Sequence, residues 1–189
     1  MNDGDARPRL VMIFGPAAVG KMTVGQALAD ATGFKLLYNH RIVDLVTDLF
    51  EFGTAGFHQL ARPFTLQMLD AAAEHGIDLI LTHGLIFRWP SARTLIDDFS
   101  AAYRTRGGEV SYVELATPLA VRLARNETEN RRRHKKVDWA TPERLREMED
   151  WAPWNSNGDF PYPERHLVID NTALDPDEVA AMIQRRFAL

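Results

Sequence analysis

The 189-residue chain contains no cysteine, so disulfide stapling, thiolate catalysis and cysteine-ligated zinc are all excluded. HExxH and EF-hand spacings are missing as well, and no metal cage built by the protein alone is expected. Long apolar runs are absent: "LVMIF", Leu10 to Phe14, is too short for a membrane span, and "MNDGDARPRL" has no basic start leading into an apolar core. A cytoplasmic protein with no membrane partner is expected. Positive charge is in deficit, with 22 Lys and Arg against 26 Asp and Glu and a formal net charge of −4. That balance disfavours a whole-molecule binder of nucleic acid. Internal repeats and low-complexity linkers are also lacking, which leaves a single domain over 1–189 as the expectation.

What the chain does have is a regular alternation. Leu10–Phe14 reads as a strand buried on both faces and stopped by Gly15-Pro16. Val24, Ala27, Leu28 and Ala31 then recur at helical spacing, with Gly33 as a C-cap. "KLLY", "IDLILTH", "VSYVEL" and "HLVID" read as further strands. Between them lie helical patterns over "HRIVDLVTDLF", from about Pro63 to Glu74, and from Ser91 to Thr105. Thr117-Pro118 is expected to cap the next helix, and Asp175, Pro176 and Glu178 open the last one as a capping box. Parallel strands need crossover helices, so the fold class expected is α/β: a three-layer sandwich around a mostly parallel five-stranded sheet. Two stretches break the alternation, a basic segment at about 126–138 and an excursion rich in Trp, Pro, Asn and Gly at about 150–164.

The stretch "FGPAAVGKMT" carries the sharpest chemistry. Gly15, Gly20 and Lys21 fit the phosphate-binding pattern G-x-x-x-x-G-K-[ST], whose glycines let phosphate oxygens approach backbone N–H groups closely. Pro16, Ala17, Ala18 and Val19 complete the loop. It follows the first strand and opens an amphipathic helix, as the mechanism requires, with the helix N-terminus adding its dipole. Met22 stands where a hydroxyl is usual, and a soft thioether is no ligand for magnesium. Thr23, one place later, is the candidate magnesium ligand, directly or through water.

With these residues the chain resembles the P-loop kinase group that includes nucleoside monophosphate kinases, shikimate kinase and gluconate kinase. Adenylate kinases have Gly-Lys-Gly-Thr where this chain has Gly20-Lys21-Met22-Thr23. The resemblance implies an ATP-dependent phosphotransferase with a helical lid, using ATP and Mg2+. Seven Lys and Arg residues between Arg122 and Lys136 occupy the lid's place. There Arg125 corresponds to the arginine lying against adenine. One or more of Arg131, Arg132 and Arg133 corresponds to the arginines that close on the phosphates, and which of the three does so stays open. Asn171 and Thr172 fall where such kinases contact the base.

Ligands of open α/β sheets sit beyond the carboxyl ends of the strands. Asn39 and His40 follow the second strand and His83 the third, so these are the expected acceptor contacts. His40, His83 or Asp44 is a candidate base for an acceptor hydroxyl. Arg62, Arg88 and Arg93 are candidates to grip an anionic acceptor. The chain departs from shikimate kinase in having Asn39-His40 where that enzyme has an acidic pair, and no acid closes "IDLILTH". Two other readings stay open: a nucleotide-binding switch or pseudokinase without transfer, and a kinase of nucleic-acid ends using Arg131 to Lys136.

Overall fold

A computed structural model of the chain describes residues 7–126 and 141–189. Its elements in order are β1 (Arg9–Phe14), α1 (Lys21–Thr32), β2 (Lys35–Tyr38), α2 (Asn39–Thr47), α3 (Ala55–Glu74) and β3 (Leu79–Thr82). There follow α4 (Ser91–Arg104), β4 (Glu109–Ala116), α5 (Leu119–Asn126), α6 (Pro142–Glu149), β5 (His166–Asp170) and α7 (Pro176–Phe187). The five strands form one sheet in the order β2-β3-β1-β4-β5, and every neighbouring pair is parallel.

Alternation along the strands divides the core in two. Leu10, Met12, Phe14, Leu81 and Tyr112 face α2, α3 and α4, whereas Val11, Ile13, Ile80, Val113 and Leu115 face α1 and α7. Because both faces are covered, β1 and β3 read as continuous apolar runs. β1 is the central strand, flanked by β3 and β4, so the loop leaving it opens between its two neighbours' ends.

Two sequence expectations are corrected. The helix expected from Pro63 begins eight residues earlier at Ala55, because Thr54 caps it by accepting the Phe57 N–H and Phe57 is buried. Pro63 lies inside the helix, where it forgoes its N–H and crowds the carbonyl one turn earlier, a cost the rest of the helix outweighs. Thr117 does not serve as the expected cap of α5, which starts at Leu119. Its hydroxyl donates instead to Asn171 Oδ1 at 2.6 Å. The basic segment expected as a lid, including Arg131, Arg132, Arg133, Lys135 and Lys136, lies outside the described residues.

Candidate functional site

The loop between β1 and α1 takes the backbone that its glycines permit. Gly15 has φ +134°, and a Cβ there would stand 2.4 Å from the Leu115 carbonyl oxygen of β4. Ala18 and Gly20 also have positive φ, 63° and 105°, and between them the Val19 N–H donates to the Pro16 carbonyl at 3.4 Å, closing a tight turn ahead of α1. The N–H groups of a first helical turn have no intrahelical acceptor, which leaves those of α1 directed into the same concavity. Lys21 Nζ lies across the loop, donating to the carbonyls of Gly15 and Pro16 at 2.7 Å each. Half-buried Met22 and Thr23 follow it on the first turn. The cradle fits a polyphosphate: a Cβ at Gly15 would strike the wall, and the lysine is already at its rim.

The far rim of the loop is stitched to the end of the sheet. Asn171, buried after β5, donates from Nδ2 to the Val19 carbonyl at 2.8 Å. Arg125 donates to the Val19 carbonyl at 3.2 Å, the Asn171 carbonyl at 2.7 Å and the Thr172 carbonyl at 3.1 Å. These bonds fix the plane of the guanidinium against the end of the loop. Arg125, Asn171 and Thr172, chosen from sequence as nucleotide contacts, are thus brought together against the loop's last residues.

On the other side, the His83 N–H donates to the Ile13 carbonyl at 3.0 Å, which fixes His83 beside the end of β1. Burial pushes its imidazole down to about 4; the bond to the Gly84 carbonyl opposes the shift and the nearby Lys21 ammonium adds to it. The neutral ring donates from Nδ1 to that carbonyl at 2.7 Å, which leaves the Nε2 lone pair as acceptor. Asn39 and His40 form the first residues of α2, half-buried, with Asp44 one turn further along.

The arginines divide differently from the sequence expectation. Arg62 is ion-paired with Asp98, joining α3 to α4, and Arg93 is paired with Asp159 at 2.6 Å. Arg88 lines an open cavity of about 370 Å³ with Trp89, Arg93, Pro153, Ser156 and Asp159. Arg122, read from sequence only as part of a charge run, is 4% exposed. It donates to the carbonyls of Thr117 and Ala17 and pairs with Glu149 of α6 at 2.7 Å. The spacing of apolar residues along α5 assigns this arginine to a polar face; only the packing of α5 on the loop reveals that it is buried. Among the described residues no group of three or more His, Asp or Glu side chains could hold a metal ion. No described helix is long and apolar enough to cross a membrane.

A glycine loop and lysine stand at the end of the central strand of a parallel 2-3-1-4-5 sheet with helices on both faces, and in this fold the chain is similar to solved kinase structures. No family model matches the chain, and no curated protein matches it. Among solved structures it is similar to a sugar kinase from Janibacter sp., at 18% identity and TM-score 0.65 over 96% of this chain and 95% of that one. It is also similar to a shikimate kinase from Acinetobacter baumannii in complex with shikimate, at 20% identity and TM-score 0.59 over 97% and 95% of the two chains. A gluconokinase from Sinorhizobium meliloti matches at 15% identity and TM-score 0.59, over 97% and 93%.

Proposed function

We propose that this chain is a phosphotransferase that moves the γ-phosphoryl group of ATP to a small-molecule acceptor. The observation that carries the reading is a pair of side chains at one edge of the phosphate loop. Lys21 spans the glycine loop, and neutral His83, close enough to feel its charge, offers an imidazole lone pair beside it. Phosphoryl transfer requires positioning and positive charge around the migrating group, with little covalent work for the protein.

In this reading Gly15 to Thr23 hold the donor phosphates and Lys21 leaves its two carbonyls for their oxygens. Arg125, Asn171 and Thr172 hold the base. Asn39, His40 and Arg88 orient the acceptor. His83 Nε2 receives the proton that an acceptor hydroxyl gives up as its oxygen bonds to phosphorus and the bond to the departing diphosphate breaks. His40 and Asp44 are the alternatives for that base, and Arg62 serves the acceptor only if it exchanges Asp98 for it. Magnesium, arriving with the nucleotide, supplies further charge neutralisation, and Thr23 is the hard oxygen ligand in the loop. Arg132 belongs to the same reading as a lid charge. A donor of this kind suits a cytoplasmic protein of one domain.

The test is ATP consumption with magnesium across sugar alcohols, carboxylate-bearing alcohols, nucleosides and nucleoside monophosphates, with Lys21→Ala as control. Acceptor-dependent turnover that falls at least about 1,000-fold in the variant is expected. A second reading draws on Met22 and on Thr82-His83 in place of an acid at the end of β3: nucleotide binding without transfer. Binding that persists in chelator, with no acceptor consumed, would replace the first reading with this one.

A further inference from the structure

Glu114 is a carboxylate near the carboxyl end of buried β4, 1% exposed, with β1 on one side and β5 on the other. Such a group is costly to bury unless its oxygens are satisfied. Oε1 accepts from Asn155 Nδ2 at 2.9 Å and from the Ser156 N–H at 3.0 Å, and Oε2 lies 3.1 Å from His166 Nε2. Burial alone would raise this carboxyl, but the close approach of His166 and the bonds from Ser156 and Asn155 outweigh it and hold the group below its ordinary value. The His166 ring stacks in turn on Phe160, 4.0 Å between centroids. Asn155 and Ser156 of the 150–164 excursion are thus fastened to the carboxylate directly, and Phe160 adjoins it only through the stacked ring of His166.

The fastened segment reaches the acceptor side. Trp154, next to Asn155, is anchored by its indole N–H to the Met148 carbonyl at 2.9 Å. Its ring edge stands 4.0 Å from where a Gly84 Cβ would be, directly after His83. The Pro153 carbonyl accepts the Phe87 N–H at 2.9 Å. The same Asn155 amide also reaches the Leu115 carbonyl at 3.2 Å, the oxygen against which Gly15 is pressed.

We infer that Glu114 is a positioning residue: through Asn155, Ser156 and Trp154 it sets the His83–Phe87 turn relative to Gly15, and so the acceptor relative to the phosphate loop. It touches neither ligand. Its catalytic consequence rests on the proposed kinase reading, but the positional link does not. A carboxylate suits the task because two bonds to one oxygen fix direction as well as depth, which an apolar side chain in the same core cannot do.

The experiment compares Glu114→Ala, Glu114→Gln and Asn155→Ala in the full chain, the last leaving the sheet untouched should the first fail to fold. Three quantities are read: acrylamide quenching of Trp154, obtained by subtraction of Trp154→Phe; the dissociation constant of ADP; and kcat and KM for whichever acceptor is turned over. Glu114→Ala and Asn155→Ala are expected to expose Trp154 and lower kcat/KM for the acceptor by about tenfold or more, as for a site displaced by a fraction of an ångström. ADP affinity stays within about twofold, because the loop and Arg125 are held by other bonds. Glu114→Gln is expected to restore both readouts, since its amide oxygen accepts the same two N–H groups. Unchanged Trp154 quenching in both alanine variants, ADP affinity falling in step with quenching, or a glutamine variant as impaired as alanine would each overturn the inference. If no acceptor is turned over by the wild type, the kinase reading fails alone, and the Trp154 and ADP measurements still decide this one.

Discussion

His83 makes a quantitative test of the site's electrostatics. Its imidazole is held at about 4, against an unfolded value near 6.5, so the folded chain takes up this proton less readily than the unfolded chain. Between those two values the unfolded state binds more protons, and stability rises with pH. The contribution is therefore fully present above about pH 6.5 and is lost as pH falls toward 4. The shift implies a loss of about 2 to 3 kcal/mol between pH 7.5 and pH 4.5 from this one residue. Urea unfolding of the wild type and of His83→Gln at both pH values isolates it, since the other titrating groups cancel in the difference. The variant is expected to lose about 2 to 3 kcal/mol less than the wild type over that interval. Equal losses, or an NMR titration of the His83 ring with a midpoint near 6.5, would refute the claim that burial and Lys21 keep it neutral.

Gly15→Ala is expected to cost at least about 3 kcal/mol in urea unfolding, because φ is +134° and the new Cβ would stand 2.4 Å from a backbone oxygen; a loss under about 1 kcal/mol would contradict the geometry. Arg122→Ala removes the donors to the Thr117 and Ala17 carbonyls and the partner of Glu149, which is itself one-third exposed, with an expected loss of about 1 to 3 kcal/mol. Pairing it with Glu149→Ala in a double-mutant cycle should show coupling of about 1 kcal/mol or more. For the metal, Thr23→Val should raise the magnesium needed for half-maximal turnover about tenfold while Met22→Leu changes it less than about twofold, measured by titration at saturating ATP. Adding ADP should raise the His83 titration midpoint, since a bound polyanion offsets the Lys21 charge that helps to lower it.

The sheet and the phosphate loop were legible in the sequence because each rests on a local constraint. Gly15 and Gly20 are needed where φ is positive, and uninterrupted apolar runs are needed where helices cover both faces. What was not legible depends on contacts far apart in the chain. Glu114 lies in "VSYVEL" as one acidic letter among apolar ones, which is also how a strand's solvent-facing position is written. Nothing in that stretch says that Asn155, Ser156 and His166, 41 to 52 positions later, converge on it. The same holds for Arg122: helical periodicity puts it in a basic run, and only its bonds to Ala17 and Glu149 remove it from solvent.

Pro63 shows the opposite error, a local rule applied too strongly. Proline favours a first helical turn, but Thr54 supplies a cap and Phe57 supplies buried area, and together they outweigh the forfeited N–H and the crowded carbonyl. These cases share a physical cause with the organisation of the site. The end of β4 is a common reference for three contacts: Glu114 holds Asn155 of the 150–164 excursion, Leu115 borders Gly15, and Thr117 just beyond it meets Asn171. A strand paired on both edges is the stiffest place from which to set such distances, because any shift in it must break two ladders at once. Polar residues are therefore buried there despite the cost, and a reading by hydrophobic pattern passes over the positions where this fold has placed its precision.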